Sequence, residues 1–279
     1  MCKQIDIKEL RSIQLNILDH VDTFCKEHNI RYFLCGGTML GAVRHKGYIP
    51  WDDDIDIMML RDEYDKFIQL YYEIDKSEFH IHHYTFERYF PYSFAKIDNS
   101  NTTFIENMAG KTTPIGVNID IFPIDVVPED ISKQKWMFRR FEFLQTIMEL
   151  KQVQPIKGRV WYKNLILHIS HILLRPVPIH FIVKLLNKNA TRYNNQSSKY
   201  CAIAVWGYGR REMNLRSNWD DFILMPFEKQ AFPVPIGYDK YLSCVYGDYM
   251  KLPSEEKRVS THDFTAYWKY AINEHKYDA

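Results

Sequence analysis

Leu34-Cys35-Gly36-Gly37-Thr38-Met39-Leu40-Gly41-Ala42-Val43-Arg44-His45-Lys46-Gly47-Tyr48-Ile49-Pro50-Trp51-Asp52-Asp53-Asp54-Ile55-Asp56-Ile57-Met58 decides how the rest of the chain is read. The apolar run at 32–35 ends on two glycines, the pattern of a short strand entering a tight turn. Thr38 is placed to cap a helix over roughly 39–45. Pro50 pushes Ile49 towards an extended conformation, so 46–51 should form a tight loop. Residues 55–59 then read as a second strand. Alternate residues of a strand share a face, so Asp54 and Asp56 should point together into a cleft while Ile55 and Ile57 enter the core. Asp52, Asp53, Asp54 and Asp56 repel one another and resist burial unless something positive sits among them. Two carboxylates on one face suit Mg²⁺, a hard ion that prefers oxygen ligands. Taken alone, the segment also reads as an acidic turn that solvates a strand end.

Upstream, Asp6 and Glu9 resemble a capping box, and Leu10, Ile13, Ile17, Val21 and Phe24 recur at helical spacing. Downstream, Tyr64, Phe67, Ile68 and Tyr71 mark one face of another helix, and 80–84 and 92–97 read as strands. Residues 117–122 alternate Val117, Ile119 and Ile121 against Asn118 and Asp120, again a strand pattern. Asp120 set into such a strand needs a partner, because an unpaired buried charge is very costly. A salt bridge would serve; beside Asp54 and Asp56, a third metal ligand or a general base is the better reading. Gly36, Gly37 and Thr38 stand between a strand and a helix, where free backbone N–H groups and the Thr hydroxyl can hold a phosphate. The turn matches neither the Walker A pattern nor the dinucleotide fingerprint.

With 279 residues, 46% hydrophobic and 25% charged, the composition is that of an ordinary globular protein. A formal net charge of +1 gives no reason to expect nucleic acid as a partner. Five cysteines without a C-x-x-C pair indicate neither a disulfide framework nor a zinc site, and Cys25 and Cys35 read as buried thiols. Residues 1–6 show no signal-peptide pattern, which points to the cytoplasm. His80 and His82 share a strand face beside His83, and His168, His171 and His180 surround a helix. None has a carboxylate or cysteine at zinc spacing, so all read as structural or surface residues.

Beyond Pro128, 132–152 and 159–187 look mainly helical, and the remainder is aromatic-rich with Pro and Gly turns. Residues 165–186 are apolar but interrupted by Arg175, Pro176, Pro178 and Lys184, so they cannot span a bilayer. A core helix broken at Pro176 is the preferred reading, and a basic amphipathic helix lying on a membrane surface the alternative.

The order Gly-Gly-Thr turn, Asp-x-Asp strand, later Asp strand is similar to a nucleotidyltransferase-type catalytic core. More closely, residues 34–58 resemble the LicD family of phosphocholine transferases of bacterial surface glycans, which is related to the fukutin-type ribitol-phosphate transferases. Asn118-Ile119-Asp120-Ile121-Phe122-Pro123-Ile124-Asp125 and Tyr246-Gly247-Asp248-Tyr249-Met250-Lys251-Leu252-Pro253, with Lys257, Arg258 and His262 beyond, carry the same likeness. It implies an α/β (α+β) fold: a nucleotidyltransferase-like mixed sheet flanked by helices over 1–130, and a mostly helical, substrate-binding region over 131–279 packed on it as one unit.

The resemblance further implies Mg²⁺- or Mn²⁺-dependent transfer of phosphocholine, or a similar phospho-alcohol, from CDP-choline or another CDP-alcohol. The acceptor would be a hydroxyl of a cell-surface glycan (teichoic acid, lipopolysaccharide or capsule) or of its lipid-linked precursor, with CMP released and peripheral contact at the inner face of the membrane. Asp54, Asp56 and Asp120 match the carboxylates that hold the metal and carry catalysis, and Gly36, Gly37 and Thr38 the turn expected to hold donor phosphates. Arg44, His45, Lys46, Trp51, Lys257, Arg258 and His262 are further donor-binding candidates; Arg44, His45 and Lys46 also suit a helix C-terminus. Tyr246, Tyr249, Trp206 and Trp268 are candidates to surround a choline ammonium. The cysteine-rich zinc site of the fukutin-type relatives cannot be built from this chain. Two other readings use the same residues: a nucleotidyltransferase releasing pyrophosphate, and an inactive homologue that binds glycan or donor.

Overall fold

The computed structural model describes residues 3–106, 115–155, 160–260 and 264–269; of the candidates above, His262 lies outside them. Helix α1 (Ile7–Glu27) begins at Asp6, whose carboxylate accepts the backbone N–H groups of Lys8 and Glu9. The reciprocal half of the expected capping box is absent: Glu9 instead accepts from Lys3 and the Trp268 indole. The apolar stripe of α1 is buried as its spacing requires.

Strand β1 (Phe33–Leu34) runs into helix α2 (Gly36–His45), and strand β2 (Asp56–Leu60) into helix α3 (Arg61–Ile74), which buries Tyr64, Phe67, Ile68 and Tyr71. Strands β3 (Phe79–His82), β4 (Ala95–Asn99), β5 (Thr102–Glu106) and β6 (Asn118–Val127) follow. The main sheet has the order β1-β2-β6-β4-β3. β2 and β6 are parallel, and the other pairs on that path are antiparallel.

β6 continues five residues beyond the alternation that marks it, straight through Pro123. The Asp120 N–H donates to Ile55 of the β2 side, so alternate donors face the other edge and the donor missing at Pro123 does too. On that edge Pro123 falls between the end of β4 pairing at Ile121 and the start of pairing at Asp125 with strand β7 (Tyr200–Ala202). A proline there removes no ladder bond.

Helices α4 (Ile131–Gln152), α5 (Trp161–Leu174) and α6 (Ile179–Ala190) precede β7. Then come strand β8 (Asn214–Leu215), the hairpin β9 (Phe222–Phe227) and β10 (Gln230–Pro235), helix α7 (Tyr238–Tyr246) and strand β11 (Phe264–Trp268), which pairs with β5. One core joins side chains of α1, β1, β2 and β6 to those of β7, β10 and α7. A smaller one fills the space between α4 and α6 with Phe141, Met148, Ile182, Val183 and Leu186.

The expectation of a core helix broken at Pro176 holds for α6 and fails for α5. The chain turns through 90° between them. The turn lays α6 on α4, while α5 touches α4 with Leu167 as its one fully buried side chain. Among the described residues no single helix is long and apolar enough to cross a membrane. Of the histidines of the β3 region, His80 is exposed and the other two are structural. His82 is held by Glu87 at 2.7 Å and Asp98 at 3.2 Å, and buried His83 bonds Thr85. Cys25, Cys35 and Cys201 are buried thiols.

Candidate active site

Three neighbouring strands put Asp56, Asp120 and Lys96 in one row. Asp56 of β2 is the register partner of Asp120 on β6, which is the partner of Lys96 on β4. Register partners project to the same face, so the three side chains meet over the sheet. Ile55 and Ile57 are fully buried on the opposite side, as the alternation requires. The Lys96 ammonium lies 2.5 Å from Asp120 Oδ1 and over the rings of Tyr92 and Phe94, at 4.7 and 5.4 Å.

The glycine turn lies beside this row. α2 starts at Gly36, with Cys35 in the cap position and no side chain capping it. The helix therefore begins earlier than Thr38 was expected to start it, because Gly36 adopts a left-handed φ of +49° that bends the chain directly off β1. Thr38 sits in the first turn instead, and its hydroxyl accepts the Asp56 N–H at 2.8 Å. It thereby fixes β2 against α2. A Cβ on Gly36 would stand 3.4 Å from Asp56 Oδ2, and one on Gly37 only 2.8 Å from Asp52 Oδ2. The two glycines thus give room to carboxylates at the head of the helix.

A cavity of about 710 Å³ opens over these groups. Gly36, Gly37, Asp54, Asp56 and Asp120 line it, together with Asp52 and Lys96. Burial pushes the Asp56 carboxyl well above the usual range; Asp54, Asp120 and Asp52 push it the same way, against Lys96. The carboxylates of Asp52, Asp53 and Asp54 each offer an oxygen within 4.8 Å of the others. Asp53 is buried and accepts from Ser260 Oγ. Of the expected ligands Asp54, Asp56 and Asp120, only Asp54 belongs to this close group; hard oxygen donors crowded in this way fit a divalent cation such as Mg²⁺, whose charge would relieve their repulsion.

Aromatic side chains form much of the remaining wall, among them Tyr92, Phe94, Phe122, Trp206, Tyr208 and Tyr246. Trp206 packs on Phe94 at 5.6 Å, and Tyr208 meets Tyr246 edge-on at 5.7 Å. Within this wall lies Glu212, 3% exposed. Its Oε1 accepts from the Tyr208 N–H, and the Tyr241 hydroxyl also stabilises the carboxylate. Burial pushes its carboxyl up to about 7. Gly207, at φ +93°, lets the loop close over it: a Cβ there would lie 2.9 Å from Glu212 Oε1.

The other donor-phosphate candidates among the described residues lie outside the lining. Arg44 binds the carbonyls of Tyr249 and Lys251, tying α2 to the segment after α7. Lys46 is an exposed left-handed helix cap. Trp51 stands between His45, edge-on at 6.3 Å, and the Arg258 guanidinium at 5.9 Å. Lys257 is exposed. Of the four aromatic candidates, Trp206 and Tyr246 line the cavity; Tyr249 is occupied by Asp239 and Trp268 by Glu9. Sequence reasoning missed Lys96 and Glu212. Lys96 had a signal, since Tyr92, Phe94 and Lys96 alternate in the sequence of a segment that reads as a strand. Glu212 had none, because it sits in a 3₁₀ turn (Gly209–Glu212) that only tertiary packing brings to the cavity.

Residues 29–161 match the family model described as LicD/FKTN/FKRP, nucleotidyltransferase domain. The chain is 31% identical over 281 aligned positions to lipopolysaccharide cholinephosphotransferase LicD of Haemophilus influenzae, covering 95% of this chain and 99% of that protein. An uncharacterised protein of Rickettsia typhi is 33% identical over 82 residues, 29% of this chain and 26% of its own. A second, from Rickettsia prowazekii, is 51% identical over 37 residues, 13% of this chain and 14% of its own.

Proposed function

The chain belongs to the LicD family, and from that premise we propose that it transfers phosphocholine from CDP-choline to a hydroxyl of lipopolysaccharide or a related surface glycan, releasing CMP. The observation that carries this reading is the pairing, in one cavity, of a crowded carboxylate group with an aromatic enclosure around a buried glutamate. The carboxylates suit the diphosphate end of such a donor with its cation, and the enclosure suits the choline end.

Asp54, Asp56 and Asp120 would hold Mg²⁺. When bound, the ion supplies positive charge that stabilises the diphosphate and the CMP leaving group. The protein's own groups do the rest by positioning, as in phosphoryl transfer generally. Lys96 fixes Asp120 and brings a fixed positive charge to the same face. Thr38 and the glycines hold β2 close to the head of α2, where backbone N–H groups face anions. At the other end, a quaternary ammonium donates no hydrogen bonds and is stabilised by ring faces and a nearby anion. Trp206, Tyr208 and Tyr246 provide rings, and Glu212 provides a buried carboxylate. The same walls exclude water from the phosphorus, limiting hydrolysis of the donor.

Product analysis tests the reading. With Mg²⁺ and a lipopolysaccharide acceptor, CDP-choline should yield CMP and choline-modified glycan. Pyrophosphate release from a nucleoside triphosphate, with every CDP-alcohol left intact, would overturn it.

A further inference from the structure

Helix α5 wears its apolar side outwards. Trp161, Tyr162, Leu165, Ile166, Ile169, Ile172 and Leu173 are all exposed, Trp161 by 74%, Ile172 by 73% and Leu173 by 70%. At 100° per residue they occupy a single arc of about 140°. Lys163 borders that arc on one side and His168 on the other, both exposed. The inward side of the helix holds Asn164, Leu167, His171 and Leu174. A monomeric globular protein rarely leaves so continuous an apolar face in water.

Charge identifies what covers it. From residue 150 to residue 211 the sequence contains eleven Lys and Arg and no Asp or Glu, although the whole chain holds 36 basic and 35 acidic residues. A second copy of the chain docking through α5 would bring two such basic regions together, and like charges oppose that contact. An anionic lipid surface answers both properties at once. Its acyl boundary takes the apolar arc, and its headgroups take the cations that flank it. Aromatic Trp161 and Tyr162 at the start of the helix suit the headgroup level, and Arg175 at its end can extend to the phosphates.

We propose that the outward face of α5 is a docking surface for an anionic phospholipid membrane, on which the enzyme lies without crossing it. The inference is independent of the donor and the reaction, since it uses no residue of the cavity. Vesicle flotation with the full chain tests it. Vesicles containing phosphatidylglycerol should capture the protein at least about tenfold more strongly than pure phosphatidylcholine vesicles. Ile166→Glu with Ile169→Glu should abolish capture. Lys163→Gln with Arg175→Gln should weaken it about 30-fold, at roughly fivefold per cation removed. All four side chains are exposed, so far-UV circular dichroism melts should be unchanged; Leu173→Asp gives an independent variant at the other end of the arc. Two results would overturn the proposal. One is wild-type protein that floats with neither vesicle. The other is wild-type protein that sediments as a dimer, which Ile166→Glu with Ile169→Glu converts to a monomer.

Discussion

Strand β6 carries two aspartates in opposite circumstances. Asp125 is fully buried, yet every demand it makes is met: Arg61 donates to both oxygens, at 2.8 and 2.7 Å, and Asn194 adds a third bond. Asp120, at the other end of the strand, is held by Lys96 at 2.5 Å and lines a cavity together with Asp52, Asp54 and Asp56. A protein built only for stability has no reason to gather Asp52, Asp54, Asp56 and Asp120 on the wall of one cavity. The enclosed aspartate is structural, and the group gathered over the cavity is the proposed site of chemistry.

The largest expected effect separates the two ends. Asp56→Asn should lower turnover by three orders of magnitude or more, on the scale seen when a group that stabilises transition-state charge is removed. The same change should raise the melting temperature of metal-free protein at neutral pH. A carboxyl whose pKa is raised by folding favours the folded state only while protonated, so its contribution is lost as pH rises past its unfolded value. Asp125→Asn should do the reverse. Breaking a buried ion pair leaves the Arg61 charge uncompensated and costs about 3–5 kcal/mol, read as a lowered denaturant midpoint, with turnover per folded molecule largely kept.

How much of this was legible beforehand depends on whether local pattern or long-range packing places a residue. The Asp54–Asp56 face followed from apolar alternation alone, because Ile55 and Ile57 could go only inwards. The Gly36–Gly37 turn was legible too, although the capping role read for Thr38 was wrong: a left-handed glycine can start a helix before any capping residue does. Lys96 alternates with Tyr92 and Phe94, but a lysine on a strand reads as solvent-facing until the strand beside it is known. Glu212 was beyond reach, having no periodicity and no motif. α5 was legible as a helix and not as an outward-facing one, since an apolar sequence does not say which side meets the core.

Glu212 gives the next effect in size. Glu212→Gln should raise KM for CDP-choline about tenfold, consistent with loss of a partly desolvated charge contact to a cation. CDP-glycerol, which carries no ammonium, should be unaffected; an equal change for both donors would place Glu212 outside choline recognition. Because burial lifts this carboxyl to about 7, stability of the metal-free protein should decline as pH rises from about 4.5 through 7. The Gln variant should lose that slope, which thermal melts across pH would show. The smallest effect belongs to His82. Glu87 and Asp98 outweigh its burial and raise it to about 9, so its contribution to stability should fade between about 6.5 and 9. His82→Gln should flatten that segment of the curve.

Binding of Mn²⁺, followed by electron paramagnetic resonance in the presence of CDP, addresses the gathered carboxylates directly. Wild-type and Asp125→Asn protein, compared at equal folded concentration, should immobilise the ion alike, and Asp56→Asn should not. Equal binding by wild type and Asp56→Asn would mean that the acidic row over the sheet is not a cation site, and the distinction between the two ends of β6 would fall with it.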